Sequence, residues 1–586
     1  MHCLYGVDSN GLAIELAKLS LWLESYADGL PLTFLDHRLV HGDSLGGAFL
    51  DSLTTLPVGG QTLDPLLAQG VDVRLREATD TALHEIGALQ ASVGTDAADL
   101  AFKASAKRRL DAALAPLRQL ARAWSGAVML ATRDMDDEWL ALARAVAARG
   151  TWPGTLTDRQ AAMLRAGGQA LSWDLAFPEV FWPDGAFDAV LSNPPWDIMH
   201  PNTAEFFAGF DLTILDSPGR AATHAVRDRL LAEPSLARAW EGYQAGFVHR
   251  QRLVERLYRH QRIGAHGSVM GGKLDLYRVF AERMLRLAGR DGAIGMVVPS
   301  AFHANEGATG VRALYLQQTR VEQCLSFENR NGLFDIHARI KFALVVARRP
   351  GPTRSVRCGF YLTDLAQIDV PGRLMDYDIA FIVASDGAHL TLLELQGHDD
   401  MQLARRMMVG HQRFGDWTDR VGISLSREIH MTDDAGRFRA MTDAAGLHCR
   451  HRRTGPPVLP LHEGKTIHQF SDAWDTPPRY AIPLAELSAK PQTIRSACHY
   501  RAACREIARS TDERTAIAAM LPPGVLCGHT ISVERTPDRR PNAVALLLVG
   551  AMNSFPFDWM LRQRAAAHVS LYILAELPLP RFAVAA

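Results

Sequence analysis

The sequence runs to 586 residues, 47% of them hydrophobic, with a formal charge of −1 at pH 7. That size and balance suit two to four soluble domains, and a neutral total leaves nucleic-acid binding open, because a basic face can be offset elsewhere. No apolar run reaches the roughly 18–20 residues of a membrane helix, and no basic segment with an apolar core opens the chain; neither a membrane partner nor secretion is expected, and a cytoplasmic location is.

Residues 1–50 open in mid-fold. Cys3-Leu4-Tyr5-Gly6-Val7-Asp8 reads as a strand ending in an acidic residue. Gly11 to Leu23 then has helical spacing, with Leu12, Leu16, Leu19 and Leu23 on one side. An Asp at a strand end before a helix is the Rossmann-type arrangement for holding ribose hydroxyls; an N-cap or turn Asp is the commoner occupant of such a position. Pro31 to His37 and His41-Gly42-Asp43-Ser44-Leu45 follow.

Residues 51–172 are rich in Ala, Leu and Arg. Ala82 to Leu89, Ala98 to Ala123 and Glu138 to Ala148 read as amphipathic helices. Their expected role is packing, with Arg108, Arg109 and Arg118 on a solvated face; a DNA-contacting face is the alternative. Ser172 to Phe181 leads into the next strand. Its Phe177-Pro178-Glu179 is followed by no Asp-x-Glu/Gln-x-Lys partner, so no nuclease is read there.

The short run Phe187-Asp188-Ala189-Val190-Leu191 has the size of a buried strand. It ends in Asn193-Pro194-Pro195-Trp196. Two prolines remove two backbone donors and fix two φ angles, so the strand must stop there. What remains is a rigid loop presenting a carboxamide, the Pro194 carbonyl and the Trp196 ring at a strand's carboxyl end, where open α/β sheets bind ligands. Those groups suit transfer to an exocyclic amine: two oxygens accept from the NH₂ group while a ring stacks on the base. A plain turn is the alternative.

Residues 197–270 read as helical and mixed in charge, with a basic run from His249 to Arg262 that is a phosphate contact or a solvated helix face. Lys273-Leu274-Asp275-Leu276-Tyr277 starts a helix reaching about Leu287, and Gly292 to Ser300 is a buried strand ending in a proline. Gly332-Leu333-Phe334-Asp335 to Val346 is a loop aromatic followed by a strand. Residues 351–586 lose this rhythm in favour of short strands and turns. Arg405 to Arg453 is rich in Arg and His, and Arg505 to Thr515 is charged. Seven cysteines (Cys3, Cys324, Cys358, Cys449, Cys498, Cys504, Cys527) are scattered and odd in number, which reads as reduced thiols. Cys498-His499 with Cys504, and His448-Cys449 with His451, match no common zinc spacing, so no metal is expected.

Phe187 to Trp196 resembles motif IV of the amino-methylating DNA methyltransferases, in the Asn-Pro-Pro-aromatic form typical of N6-adenine enzymes. Tyr5 to Asp8 with Ala13 to Leu23 resembles motif II of large adenine methyltransferases of the fused restriction-modification (type IIG-like) or phage-defence kind. Gly42 to Leu45 stands for motif III, Lys273 to Ser300 for motifs V and VI, and Gly332 to Val346 for motif VIII. The order is the γ order. The resemblance implies an α/β fold: a Rossmann-like class I methyltransferase sheet, incomplete at the amino terminus, with a helical insertion and a carboxyl-terminal α+β target-recognition domain. The implied domains are 1–50 and 173–350 for the two parts of the core, 51–172 for the insertion and 351–586 for target recognition.

By the same resemblance the chain transfers methyl from S-adenosyl-L-methionine to adenine N6 in double-stranded DNA, within a restriction-modification or phage-defence system. Asp8 binds the cofactor ribose and Asp43 accepts from its adenine amine. Asn193, Pro194, Pro195 and Trp196 are catalytic, and Trp196 with Phe334 stacks on the extruded base; ordinary core packing is the alternative for Phe334. Arginines of the recognition half are phosphate or guanine contacts. Two other readings stay open: a catalytically silent DNA-recognition component, and a methyltransferase acting on protein glutamine or RNA. The family's motif I, an Asp-Pro-Ala-Cys-Gly-Ser-Gly-like strand and turn, belongs immediately before the motif II resemblance, which here begins at His2. Gly292-Ala293-Ile294-Gly295 is no substitute. The expectation is that this chain is one part of a longer or split methyltransferase: a truncated gene, a mis-called start, or a partner of an upstream polypeptide carrying motif I. Without that segment, weak cofactor binding and no activity are expected.

Overall fold

Gly6–Asp8 (β1) and Leu39–His41 (β2) run parallel, with Val7 opposite Val40 and Asp8 opposite His41. Parallel neighbours need a crossover, which includes the helix Gly11–Glu24 (α1). In α1 the side facing the pair is set by Ile14 and Lys18, both buried. Lys18 Nζ reaches Asp36 at 2.8 Å. The leucine side of the helix faces outward instead: Leu12 is 67% and Leu16 54% exposed.

The computed structural model describes residues 3–24, 35–91, 97–408, 411–441, 458–509, 512–564 and 568–582. Pro31 to Phe34, His448 to His451 and the end of the Arg405–Arg453 stretch lie outside them. The chain forms two compact units. The first comprises Met1–Phe302, Gly310–Glu322 and Leu344–Thr353; the second comprises His303–Thr309, Gln323–Ala343 and Arg354–Ala586.

In the first unit four helices follow β2: Pro65–Ala91 (α2), Ala97–Leu130 (α3), Asp134–Arg149 (α4) and Asp158–Gly167 (α5). They contain all three helical runs read from the sequence. Their apolar faces share one core, centred on Leu114, Leu117, Trp124, Trp139 and Met163. The α3–α5 crossing is backbone to backbone. A Cβ on Gly126 would stand 1.8 Å from the Met163 carbonyl oxygen, and one on Gly167 2.1 Å from that of Arg122. The arginines of α3 are not a uniform solvated face. Arg108 is exposed, but Arg109 holds both oxygens of Glu85 at 2.7 Å. Arg118 donates to the Leu175 carbonyl and to Asp111. A carbonyl 57 residues away gives that arginine a partner that helical periodicity cannot reveal.

Phe187–Ser192 (β3) pairs in parallel with Ala288–Pro299 (β4), Val190 opposite Ile294 and Ser192 opposite Met296. The helix Leu276–Leu287 feeds β4, turning eight buried side chains inward. With Arg320–Glu328 (β5), Lys341–Arg348 (β6), Ser355–Leu362 (β7) and Met375–Asp378 (β8), the sheet order is β3-β4-β6-β5-β7-β8. The fold is mixed α/β.

In the second unit β7 lies parallel to β5 and antiparallel to β8. Two four-stranded sheets follow, one around Arg501–Arg505 and one around Val458–His462 and Tyr480–Pro483. Several arginines of this half have inward partners. Arg501 and Glu428 are fully buried at 2.7 Å, and Arg535 shares the same carboxylate at 2.6 Å. Arg427 pairs with Glu506 at 2.6 Å and Arg437 with Asp434 at 2.7 Å. Among the described residues no single helix is long and apolar enough to cross a membrane, and no group of three His, Cys, Asp or Glu could hold a metal ion.

Candidate active site

The site is built where parallel strands end. Pro194 and Pro195 terminate β3 as their missing donors require, leaving Pro194 buried and Asn193 and Pro195 exposed. Among the described residues the Asn193 carboxamide makes no hydrogen bond, so its acceptor and donors are available. The loop beyond is pinned rather than loose. Leu276 N–H donates to the Asp197 carbonyl at 2.9 Å and Met199 N–H to that of Leu274 at 2.8 Å, with Ile198 and Asp275 forming a bridge. Trp196 is half-buried, and its indole Nε1 is buried with no partner.

Asp8 stands at the end of β1 and Asp43 two residues beyond β2, so both carboxylates lie at carboxyl ends of parallel strands. Gly42 N–H donates to the Asp8 carbonyl at 2.9 Å, which holds the two loops side by side. Asp8 Oδ1 accepts from Asn10 N–H at 2.7 Å and its side chain is otherwise open to solvent. Asp43 Oδ1 accepts from the Leu45 and Gly46 amides at 3.0 and 3.2 Å. Its Oδ2 lies 3.5 Å from Arg250 Nη2. Leu45, just past Asp43, and Met199, just past Trp196, share a cluster with Val254, Tyr258, Leu274 and Val279. The first unit therefore ties the Asp8, Asp43 and Asn193 loops into one framework.

Other residues in that framework were not singled out in the sequence. Arg283, 2% exposed, donates from Nη2 to the Leu45 and Gly47 carbonyls and from Nε to the Tyr258 hydroxyl. Burial pushes the Tyr258 hydroxyl up to about 12, so it stays protonated and donates to the Leu45 carbonyl at 2.8 Å. An arginine within a helical pattern gives no sign that it clamps a loop more than 230 residues away. The basic run 249–262 is largely committed in the same way. Arg252 donates to the Met129 carbonyl, Arg256 to those of Leu56 and Pro57, and Arg262 to Glu255 and the Gly272 carbonyl. The run serves folding more than it offers free cations.

Phe334 belongs to the second unit. It is 39% exposed and meets Phe342 edge-on at 4.9 Å. Buried Asn329 fixes its loop, accepting from Phe334 N–H at 3.0 Å and donating to the Phe334 and Ile336 carbonyls.

One edge near the site is open. Among the described residues β1 pairs only with β2, and β3 only with β4. Yet Tyr5, Val7, Phe187 and Val190 pack against one aromatic cluster with Trp173 and Phe177. Leu4 and Leu191 beside these edges are 49% and 83% exposed. Burial pushes the Glu179 carboxyl up. The Tyr5 hydroxyl is its neighbour, but neither Glu179 oxygen has a hydrogen-bond partner of good geometry, and both are buried.

The chain matches the family model for the Eco57I restriction-modification methylase over residues 2–211 and 248–334, just over half of its length. No curated protein matches it. Similar solved structures include the type IIL restriction-modification enzyme MmeI in complex with DNA (9% identity, 77% of this chain and 52% of that one, TM-score 0.32). Another is the type IIG restriction endonuclease BpuSI (11%, 97% and 72%, TM-score 0.27). A third is a nuclease-deletion mutant of the type ISP enzyme LlaGI with a DNA substrate mimic (10%, 68% and 42%, TM-score 0.32). The chain thus spans about half the length of MmeI and less of LlaGI. On the strength of the family match, the chain belongs to the Eco57I restriction-modification methylases.

Proposed function

We propose that this chain is the catalytic and recognition part of an S-adenosylmethionine-dependent N6-adenine DNA methyltransferase with a class I, Rossmann-like core. The observation that carries the reading is Asn193: an exposed carboxamide without a partner, beside a buried proline, at the carboxyl end of a parallel strand. Asn193 Oδ1 and the Pro194 carbonyl accept from the exocyclic amine of an extruded adenine and turn its lone pair outward. Trp196 supplies a stacking face. Asp8 and Asp43 fit the ribose diol and the adenine amine of the cofactor. Both are carboxylate acceptors at adjacent strand ends, the chemistry those donors require. When bound, S-adenosylmethionine supplies the electrophilic methyl group. The protein's own contribution is to hold amine and donor in line, and positioning two bound reactants supplies much of the acceleration.

The open edges of β1 and β3 support a second element of the proposal. A parallel strand from outside the described residues, on an upstream polypeptide carrying motif I, completes the sheet between them. Until it is supplied the chain binds DNA through residues 351–586 without turning over.

The experiment is tritiated-methyl incorporation into duplex DNA, RNA and protein, by the chain alone and with the upstream reading frame co-expressed. Incorporation at adenine N6 of DNA, dependent on both the second polypeptide and Asn193, is expected. Robust transfer by the chain alone overturns the second element. Transfer only to glutamine or RNA overturns the first.

A further inference from the structure

A cavity of about 540 Å³ lies in the first unit, lined in part by residues 51–60, by Trp124 and by the helix Leu276–Leu287. It is remote from Asn193. Arg349, on its wall, donates from Nη1 to the carbonyl of Ala288, the first residue of β4, whereas Asn193 follows Ser192, which pairs with Met296 near the other end of that strand. Five guanidiniums line the cavity, those of Arg256, Arg259, Arg283, Arg286 and Arg349, against two carboxylates, Asp51 and Glu282. The wall therefore carries an excess of three positive charges in a chain whose total is −1.

Both carboxylates are already engaged. Asp51 is held by Arg286. Glu282 is held by His260 Nδ1 at 2.8 Å and Gln261 Nε2 at 2.9 Å. The arginines are oriented mainly by backbone oxygens. Arg256 uses Nε and Nη2 on Pro57 and Leu56, Arg349 uses Nη1 on Leu285 and Ala288, and Arg283 uses Nη2 on Leu45 and Gly47. A guanidinium has five N–H donors in a fixed plane. These bonds set the planes and leave donors over: Nη1 of Arg256, Nε and Nη2 of Arg349. Arg283 Nη1 is buried without a hydrogen-bond partner, and Arg259 is exposed with no partner among the described residues. Carbonyls orient a guanidinium but do not neutralise it. In a concave site, cations of one sign focus the field and favour an anion.

We propose that this cavity binds a small polyphosphate anion of the pyrophosphate or nucleoside di- and triphosphate class. Pre-oriented guanidiniums pair two N–H groups with two phosphate oxygens, so several of them select a ligand with many oxygens over a halide or a lone carboxylate. The volume lies within the usual ~300–1,000 Å³ for small-molecule sites. Arg283 and Tyr258 on its wall also brace the Leu45–Gly47 segment beside Asp43. No residue of the wall is assigned to touch the cofactor or the base, so the site does not rest on the methyl-transfer reading.

The test is calorimetry of the full chain with inorganic tripolyphosphate at physiological salt, repeated on Arg259→Glu, Arg259→Lys and Asn193→Ala. Saturable binding is expected in the unaltered chain and in Asn193→Ala. Arg259→Glu should weaken it at least tenfold, with circular dichroism unchanged because Arg259 makes no contact that folding needs. Arg259→Lys should restore most of it. Absence of saturable binding, or equal binding by Arg259→Glu, overturns the site. Displacement of tripolyphosphate by a short DNA duplex at equal phosphate concentration would make the cavity a DNA-backbone contact, and would equally overturn the small-anion reading.

Discussion

The rings of Tyr5 and Phe187 meet at 5.6 Å between centroids, although β1 and β3, the strands they introduce, share no backbone hydrogen bond among the described residues. Two strands of separate sheets thus pack side chains into one cluster, while among the described residues each keeps one edge unpaired. Unpaired edges recruit a strand. Amide hydrogen exchange tests this. In the isolated chain the edge amides of β1 and β3 should exchange with little protection. If a second polypeptide supplies the strand, as proposed, its binding should raise protection a hundredfold or more in those two strands. Unchanged exchange on complex formation would place the partner elsewhere.

Asn193→Ala should leave the fold intact and remove methyl transfer. The side chain is exposed and makes no hydrogen bond among the described residues, so its truncation should change unfolding free energy by no more than about 0.5 kcal/mol. Losing an acceptor that positions the amine should lower kcat about a hundredfold or more, with the KM for DNA little changed. A variant that raised KM alone would show that Asn193 merely helps to bind DNA.

Asp174 predicts how stability responds to pH. Burial pushes its carboxyl up to about 6, against two backbone amides, Leu50 and Leu175, that favour the charged form. A group whose folded pKa exceeds its unfolded value of about 3.9 stabilises the fold when protonated. That contribution is present below about pH 4 and lost as the pH rises through 6. Two units at ~1.4 kcal/mol each give up to about 3 kcal/mol. Urea titrations at pH 5 and 7.5 should show the unaltered chain losing stability at the higher pH. Asp174→Asn should flatten that difference; a slope that survives the substitution assigns it to other groups.

The α3–α5 crossing predicts a severe steric defect. With carbonyl oxygens 1.8 and 2.1 Å from the positions a Cβ would take, Gly126→Ala and Gly167→Ala must part the helices, at about 1–3 kcal/mol or more each. The two sites face each other, so the double variant should cost less than the sum. Additive losses in denaturant unfolding would mean that the crossing does not open as a unit.

The end of the strand before Asn193 was legible because Pro194-Pro195 cannot continue a ladder. Its expected burial is not found: no residue of β3 is buried and Leu191 is 83% exposed, because the strand lies at the sheet's edge. The helices at 65–167 were legible through their period. The role of the arginines was not. Arg118, Arg252 and Arg283 have carbonyl partners 57, 123 and 238 residues away, and a basic residue on a helix looks the same whether it meets phosphate or backbone oxygen. The leucines of α1 misled in the opposite sense. Their spacing is that of a buried stripe, but Leu12, Leu16, Leu19 and Leu23 are all exposed.

The proline after Asn193 has one more consequence, for the ageing of the protein. An exposed, hydrogen-bond-free asparagine on a loop is the kind that cyclises to a succinimide and deamidates, through attack of the next backbone nitrogen on its side chain. At position 194 that nitrogen belongs to a proline ring and carries no proton, so this route is closed. The group on which transfer would depend can remain exposed and unpaired without becoming an aspartate over the life of the molecule.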